Sequence, residues 1–185
     1  NIPEPVVTKF QGKLYVAIGS RLFALPESTL FLDMLLAYSS LIFTKEWKDK
    51  QSGLPDKARH PAYDWILHIP DFQKKMGKRN ENGQYEAILD GPSMAFVSLL
   101  YDLYVLEVCG RLQDPLVVRL LIRDQFQGAR YELFVIATLL RANCEIEFEN
   151  EGDLLKKHAE LTAIFKPTGE KFLVEAKSKH RDNVL

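Results

Sequence analysis

The last third of the chain carries the hydrophobic pattern of one helix followed by three strands. Residues 127–142 repeat apolar side chains at helical spacing, and residues 144–149 alternate strictly between apolar and acidic side chains. Residues 160–165 are rich in branched and aromatic side chains, and residues 172–177 form a further strand-like run. The pattern therefore predicts the order helix, strand, strand, strand.

The last predicted strand has two chemically different faces. Successive side chains on a strand point to opposite sides, so Phe172, Val174 and Ala176 share the face that suits a core. Glu175 and Lys177 share the other face, roughly 7 Å apart along the chain. A carboxylate and an ammonium group on a strand that we expect to be buried require a partner or a purpose.

The turn before this strand contains Pro and Gly and sets its register. With a loop of two or four residues, Phe165 pairs with Glu170, and Glu160 pairs with Glu175. Two carboxylates then lie side by side, with Lys177 on the same face. A loop of three or five residues would shift the register by one and destroy this arrangement.

Two opposed carboxylates repel each other unless one is protonated or a cation lies between them. Mg²⁺ prefers oxygen ligands, commonly one or two carboxylates with water and substrate phosphate. A neighbouring lysine stabilises charge in a phosphoryl transition state, or orients and deprotonates an attacking water. The alternative interpretation is a surface hairpin on which Glu175 and Lys177 are simply solvated.

Glu132 lies in the first half of the predicted helix 127–142, among aromatic and aliphatic residues. One interpretation is favourable interaction with the positive end of the helix macrodipole. The other is a part in the site just described. The sequence of the helix leaves both open.

These residues together resemble the PD-(D/E)xK nuclease superfamily, which has the restriction-endonuclease-like fold. The matching set is Arg130-Tyr131-Glu132-Leu133 on the helix, Ala159-Glu160-Leu161 on a strand and Val174-Glu175-Ala176-Lys177 on the last strand. The resemblance covers about residues 126–181.

The resemblance implies that Glu160 and Glu175 bind Mg²⁺ (or Mn²⁺), with the carbonyl of Ala176 as a further ligand. Lys177 would assist the attacking water or stabilise the transition state, and Glu132 would support the metal site. The usual chemistry of the superfamily is metal-dependent hydrolysis of a phosphodiester bond. The resemblance therefore implies an endonuclease that acts on DNA.

The chain departs from the superfamily pattern in two places, and both bear on whether the site is catalytically active. Ala159-Glu160 stands where the pattern has proline and aspartate, and the longer glutamate alters the reach of the carboxylate. The superfamily core also continues beyond its third strand, so we expect a core truncated at its C-terminal end. The second hypothesis is therefore a catalytically inactive nuclease-like module that binds nucleic acid or a protein partner. The frequent roles of the superfamily, which include phage defence, imply a homo-oligomer or a larger complex.

Residues 1–125 are expected to form a mainly helical N-terminal region, and residues 126–185 the partial nuclease-like core. A short β-hairpin is predicted around Gly19-Ser20. Ser28 or Thr29 is expected to cap a helix that runs to about residue 43. The aromatic residues between positions 43 and 65 are interpreted as core packing, with a platform for a partner as the alternative.

The net charge of −1 argues against general adhesion to nucleic acid, but seven Lys or Arg residues and only four Asp or Glu residues follow position 153. The basic residues expected to contact DNA are Lys156, Lys157, Lys179 and Arg181, with a solvated surface as the alternative. Two cysteines without framework spacing favour a reducing, cytoplasmic compartment. The longest apolar stretch, residues 92–108, contains two acidic residues and is short for a bilayer. It predicts a core helix and no membrane association.

Overall fold

The structure, a computed structural model, describes residues 2–76, 81, 88–148 and 161–177, with the backbone alone at residues 73, 75 and 76. The predicted mixed α/β class is confirmed, since this part of the chain holds six α-helices and two three-stranded antiparallel sheets. The chain divides into two compact units. One is Leu30–Tyr101, and the other combines Asn1–Thr29 with Asp102–Leu185.

The elements follow one another from a strand-rich start through six helices to a second sheet. The strands are β1 Val6–Phe10, β2 Lys13–Ile18, β3 Arg21–Pro26, β4 Cys144–Phe148, β5 Leu161–Phe165 and β6 Glu170–Val174. The helices are α1 Phe31–Ser39, α2 Lys45–Ser52, α3 Pro61–Met76, α4 Gly91–Val108, α5 Asp114–Leu121 and α6 Phe126–Arg141, with a 3-10 turn at Asp56–Ala58.

The predicted N-terminal hairpin is confirmed. Strands β2 and β3 pair up to Ile18 and Arg21, which leaves Gly19 and Ser20 as a two-residue turn. Gly19 has φ +57°, the positive value that the first central position of a type II′ turn requires. The sheet gains a third strand, β1, that was not predicted. Its five residues are all exposed, so no alternation of burial marks it, and only pairing with β2 makes it a strand.

Replacing Gly19 with alanine should destabilise the protein, since a side chain at φ +57° is strained and its Cβ would lie 2.1 Å from the Glu107 carboxylate. We expect the free energy of unfolding to fall by at least about 1 kcal/mol. Gly128 in α6 is the matched control, because a Cβ there meets open space and alanine should stabilise the helix by about 1 kcal/mol. Urea denaturation of both variants measures the difference. Equal effects of the two substitutions would contradict the turn assignment.

The first helix is shorter than predicted. It begins after Leu30, not after Ser28 or Thr29, because the Asp33 carboxylate accepts a hydrogen bond from the Leu30 N–H at 3.1 Å. It ends at Ser39, and Thr44 begins a separate helix, α2, by accepting a hydrogen bond from the Trp47 N–H at 3.2 Å. The predicted end at about residue 43 was therefore too late, and α2 is a separate helix beyond the predicted one.

The aromatic residues of the Leu30–Tyr101 unit form core, which confirms that interpretation. Phe43 and Tyr63 are buried. The Trp47 ring lies 5.1 Å from the ring of Phe43 and 6.2 Å from that of Tyr63. His60 is also fully buried, and its Nδ1 accepts a hydrogen bond from the Ala62 N–H at 3.1 Å. These contacts close the junction of α2 and α3.

The second unit is built around α6, whose apolar stripe packs on α5 and β4. The four residues predicted for this stripe are buried: Leu133, Ile136, Ala137 and Leu140. Asn143, with φ +65°, ends the helix in the left-handed conformation and turns the chain into β4. Strand β4 shows the predicted alternation, with Cys144 and Ile146 buried and Glu145 and Glu147 exposed.

Candidate active site

The hairpin formed by β5 and β6 has the register that the candidate site requires. Phe165 pairs with Glu170 and Ala163 with Phe172, as predicted for a four-residue loop. Phe165 closes the loop, since its carbonyl accepts hydrogen bonds from the N–H groups of Thr168 and Gly169 at 3.2 and 2.8 Å. Gly169 has φ +73°. The Pro–Gly turn chemistry read from the sequence therefore sets the correct register.

Glu175 and Lys177 lie together at the end of this hairpin. Strand β6 ends at Val174, so both residues follow the strand directly. The Lys177 Nζ atom lies 2.7 Å from Glu175 Oε1, which makes a charge-assisted hydrogen bond. The side chains are 76% and 52% exposed respectively, so water reaches both groups. The pair is therefore accessible to a ligand from solvent.

The expectation that β6 is a buried strand was wrong. Four of its five residues are exposed, including Phe172 at 43% and Leu173 at 77%. Among the described strands, the sheet order β4-β5-β6 gives β6 one neighbour and places it outside the central strand. The central strand β5 is the better covered one, with Leu161 and Ala163 almost fully buried. Glu175 and Lys177 thus carry no burial cost that would by itself require a function.

The other carboxylate of the proposed pair, Glu160, lies outside the described residues, as do the predicted DNA contacts Lys156, Lys157, Lys179 and Arg181. The apposition of Glu160 and Glu175 stays a prediction. So do the phosphate contacts of the four basic side chains.

Glu132 lies in the second turn of α6, and its carboxylate pairs with Arg119 of α5 at 2.6 Å. The Glu132 side chain is 14% exposed and the Arg119 side chain 40%, so water reaches the pair mainly from the arginine side. Because Glu132 lies beyond the first turn of α6, the helix macrodipole acts on it only weakly. The ion pair with Arg119 is therefore the main stabilisation of the Glu132 carboxylate. Arg119 was missed in the sequence, because only the packing of α5 against α6 brings the two residues together.

The described ranges contain no group of three or more His, Cys, Asp or Glu side chains that is arranged to hold a metal ion. Within those ranges the metal-ligating chemistry at the hairpin end is the Glu175 carboxylate, with the backbone carbonyl of Ala176 beside it. These are hard oxygen donors of the kind that Mg²⁺ and Mn²⁺ take.

The fold and site define a mixed α/β protein with an exposed acid–lysine pair at the end of an antiparallel hairpin. Comparison of the chain with protein-family models, curated proteins and solved structures finds no match. Within the described part of the chain, no helix combines the length and the apolar character that crossing a bilayer demands.

Proposed function

We propose that this protein is a metal-dependent nuclease that hydrolyses phosphodiester bonds in DNA. The proposal assigns α6 and β4–β6 to a partial restriction-endonuclease-like core. The observation that carries it is the contact between Lys177 Nζ and Glu175 Oε1 at 2.7 Å, on a hairpin with the required register. The order helix, strand, strand, strand supports it further.

In this proposal Glu175 holds the divalent cation, Mg²⁺ or Mn²⁺, with Glu160 and the carbonyl of Ala176 as its other protein ligands. The bound ion would supply positive charge beside the scissile phosphate and lower the pKa of a ligated water. The exposure of Glu175 leaves room for the substrate phosphate and for water around the site. The donor set of two carboxylates and one carbonyl suits a hard cation.

Lys177 stabilises charge in this mechanism. Its ammonium group, held beside the Glu175 carboxylate, donates hydrogen bonds to the phosphate oxygens on which charge builds up. Water forms the new oxygen–phosphorus bond, and the bond to the leaving oxygen breaks. Water loses a proton to solvent, and the leaving oxygen takes one from solvent. Glu175 keeps the ammonium group in position through both changes.

Glu132 has a supporting role in the proposal. The contact with Arg119 at 2.6 Å fixes the direction of its carboxylate, so that it would hold a water molecule or a second cation at the edge of the site. Lys156, Lys157, Lys179 and Arg181 would contact backbone phosphates, which makes binding weaken steeply as salt rises.

The experiment is incubation of the protein with supercoiled plasmid and with single-stranded DNA, in Mg²⁺, in Mn²⁺ and in EDTA. We expect nicked or linear products with either metal and none in EDTA. Product that accumulates equally in EDTA, or no product on either substrate in either metal, would count against a metal-dependent nuclease.

The second candidate is a catalytically inactive nuclease-like module that binds nucleic acid or a protein partner. One observation favours it: Ala159-Glu160 replaces the usual proline–aspartate. Binding of DNA without cleavage, unchanged by EDTA, is the result that this candidate predicts.

A further inference from the structure

A cavity of about 180 Å³ lies within the unit made of Asn1–Thr29 and Asp102–Leu185, and the proposed nuclease site does not use it. Its polar lining comes from three separate places in the chain: Arg111 after α4, Asn143 and Glu145 around the start of β4, and Lys166 in the β5–β6 turn. The volume is that of several water molecules.

The backbone on both sides of the cavity is fixed by hydrogen bonds. At the end of α4 the Arg111 N–H donates to the Leu106 carbonyl at 2.8 Å, and the Gly110 N–H donates to the Glu107 carbonyl at 3.0 Å. With Gly110 at φ +63°, this is a Schellman motif, which satisfies the last carbonyls of the helix. The base of the Arg111 side chain is therefore held in place.

The backbone on the opposite side of the cavity is also fixed by a hydrogen bond. The Lys166 N–H donates to the Asn143 carbonyl at 3.2 Å, which ties the hairpin turn to the junction of α6 and β4. Lys166 and Asn143 thus reach the cavity from backbone positions that are linked to each other. The two cations, Arg111 and Lys166, approach one space from two independently fixed segments.

Among the described residues that line this cavity, Arg111 and Lys166 are cations and Glu145 is an anion. Among the residues that the structure describes, neither Arg111 nor Lys166 has a carboxylate within ion-pair distance, although Glu145 lines the same space. Arg111 is half-buried, and a partly desolvated guanidinium gains from an anionic partner. With Glu145 counted, these three side chains leave one net positive charge, so the cavity would attract an anion such as a phosphate monoester, which carries about −1.5 to −2 at neutral pH.

We propose that the cavity between Arg111, Asn143 and Lys166 binds a phosphate group, either inorganic phosphate or the terminal phosphate of a nucleic acid. Arg111 donates two parallel hydrogen bonds, and Lys166 supplies a compact positive charge. The Asn143 side-chain amide is the neutral polar group beside them. This proposal stands independently of the nuclease activity, since Glu175 and Lys177 lie at the other end of the β5–β6 hairpin.

Cys109 provides a reporter inside the cavity, because its half-buried thiol contributes to the lining. Burial raises the pKa of this thiol, and the positive charges of Lys166 and Arg111 act in the opposite direction. A phosphate bound between the two cations would cover the sulfur and cancel the charges that favour the thiolate. Both effects slow the alkylation of Cys109.

The test measures alkylation of Cys109 by iodoacetamide, followed by peptide mass spectrometry, with inorganic phosphate or with sodium chloride at equal ionic strength. Titration calorimetry with inorganic phosphate gives the affinity directly. We expect phosphate, and not chloride, to protect Cys109. We expect Arg111→Met to reduce phosphate affinity about tenfold or more, and Arg111→Lys to restore part of it.

Lys171→Met is the matched control, because Lys171 is an exposed lysine of the same hairpin that does not line the cavity. Its phosphate affinity should equal that of the unaltered protein. An oligonucleotide with a 5′-phosphate, compared with the same oligonucleotide ending in a hydroxyl, separates the two ligand sources. Protection of Cys109 by inorganic phosphate or by the 5′-phosphorylated oligonucleotide supports a phosphate site in this cavity.

Two results would overturn the proposal. The first is the absence of any protection or binding by inorganic phosphate and by the 5′-phosphorylated oligonucleotide. The second is phosphate binding that Arg111→Met leaves unchanged while the stability of the protein falls. In that case Arg111 only stabilises the C-terminal end of α4, where a cation interacts favourably with the helix macrodipole.

Discussion

Replacement of Lys177 by alanine should reduce metal-dependent DNA cleavage by at least about a hundredfold, which is the usual effect of removing one group that stabilises transition-state charge. Replacement of Glu175 by alanine should do the same, because it removes both a metal ligand and the carboxylate that holds the Lys177 ammonium group at 2.7 Å. Quantification of nicked plasmid over time in Mg²⁺ measures both effects.

The two substitutions should leave the fold intact. Both side chains are more than half exposed, and an exposed ion pair contributes little to stability. The matched control is the exposed pair of Lys50 and Glu46 on α2, whose charged atoms lie 2.8 Å apart. Lys50→Ala removes a comparable surface charge and should retain full cleavage. Full cleavage by Lys177→Ala, or an equal loss in Lys50→Ala, would remove Lys177 from the mechanism.

Among the ion pairs of the described residues, loss of Arg141 should give the largest single destabilisation. Its guanidinium donates to Asp102 Oδ1 at 2.7 Å and to Thr138 Oγ1 at 3.0 Å. The Asp102 side chain is only 9% exposed, so Arg141→Met leaves a carboxylate with little access to water. We expect the free energy of unfolding near neutral pH to fall by about 3 kcal/mol.

The pH dependence of this loss follows from the pKa of Asp102. Burial raises that pKa above the ordinary value, while the hydrogen bond and charge of Arg141, and to a smaller extent the charge of Arg130, act to lower it. Without Arg141 the folded-state pKa rises further, so folded Arg141→Met holds the Asp102 proton up to a higher pH than its unfolded chain does. The stability of the variant therefore falls, relative to the unaltered protein, as pH rises from about 4 towards about 7.

Urea denaturation of Arg141→Met at about pH 4 and about pH 7 measures this difference. The deficit should be small at the lower pH, where Asp102 is largely protonated in the variant, and full at the higher pH. Arg123→Met is the control, because the Arg123–Asp124 pair is exposed and its atoms lie 3.5 Å apart. A deficit that is the same at both pH values would contradict an origin in the charge of Asp102.

The elements that could be predicted are those whose residue types follow the pattern of buried and exposed positions or the backbone conformation of a turn. Helix α6 and strand β4 show the periodicity of one buried face, so their positions were predicted to within a residue or two. The turn Gly19-Ser20 was predicted because a positive φ at its first residue demands glycine. The Pro–Gly loop set the β5–β6 register for a similar local reason.

The elements that escaped prediction lack such a signal. Strand β1 is exposed on both faces, so no pattern of alternate burial reveals it. Helix α2, Lys45–Ser52, has no fully buried residue, and it is held by the Thr44 cap and by the packing of Trp47 against Phe43 and Tyr63. Both elements depend on partners that the local hydrophobic pattern does not contain.

Some features of the candidate site could likewise be predicted from local sequence, and others could not. The sequence by itself determined the pairing register of the β5–β6 hairpin, because loop length and turn chemistry are local properties, whereas the predicted strand 172–177 ends at Val174 and the contact between Glu175 and Lys177 lies beyond it. Only the tertiary structure decided that β6 has one neighbour among the described strands, that Glu132 pairs with Arg119, and that Arg111 and Lys166 line one cavity. These contacts join residues far apart in the chain, and they form only when burial of the apolar faces brings the elements together.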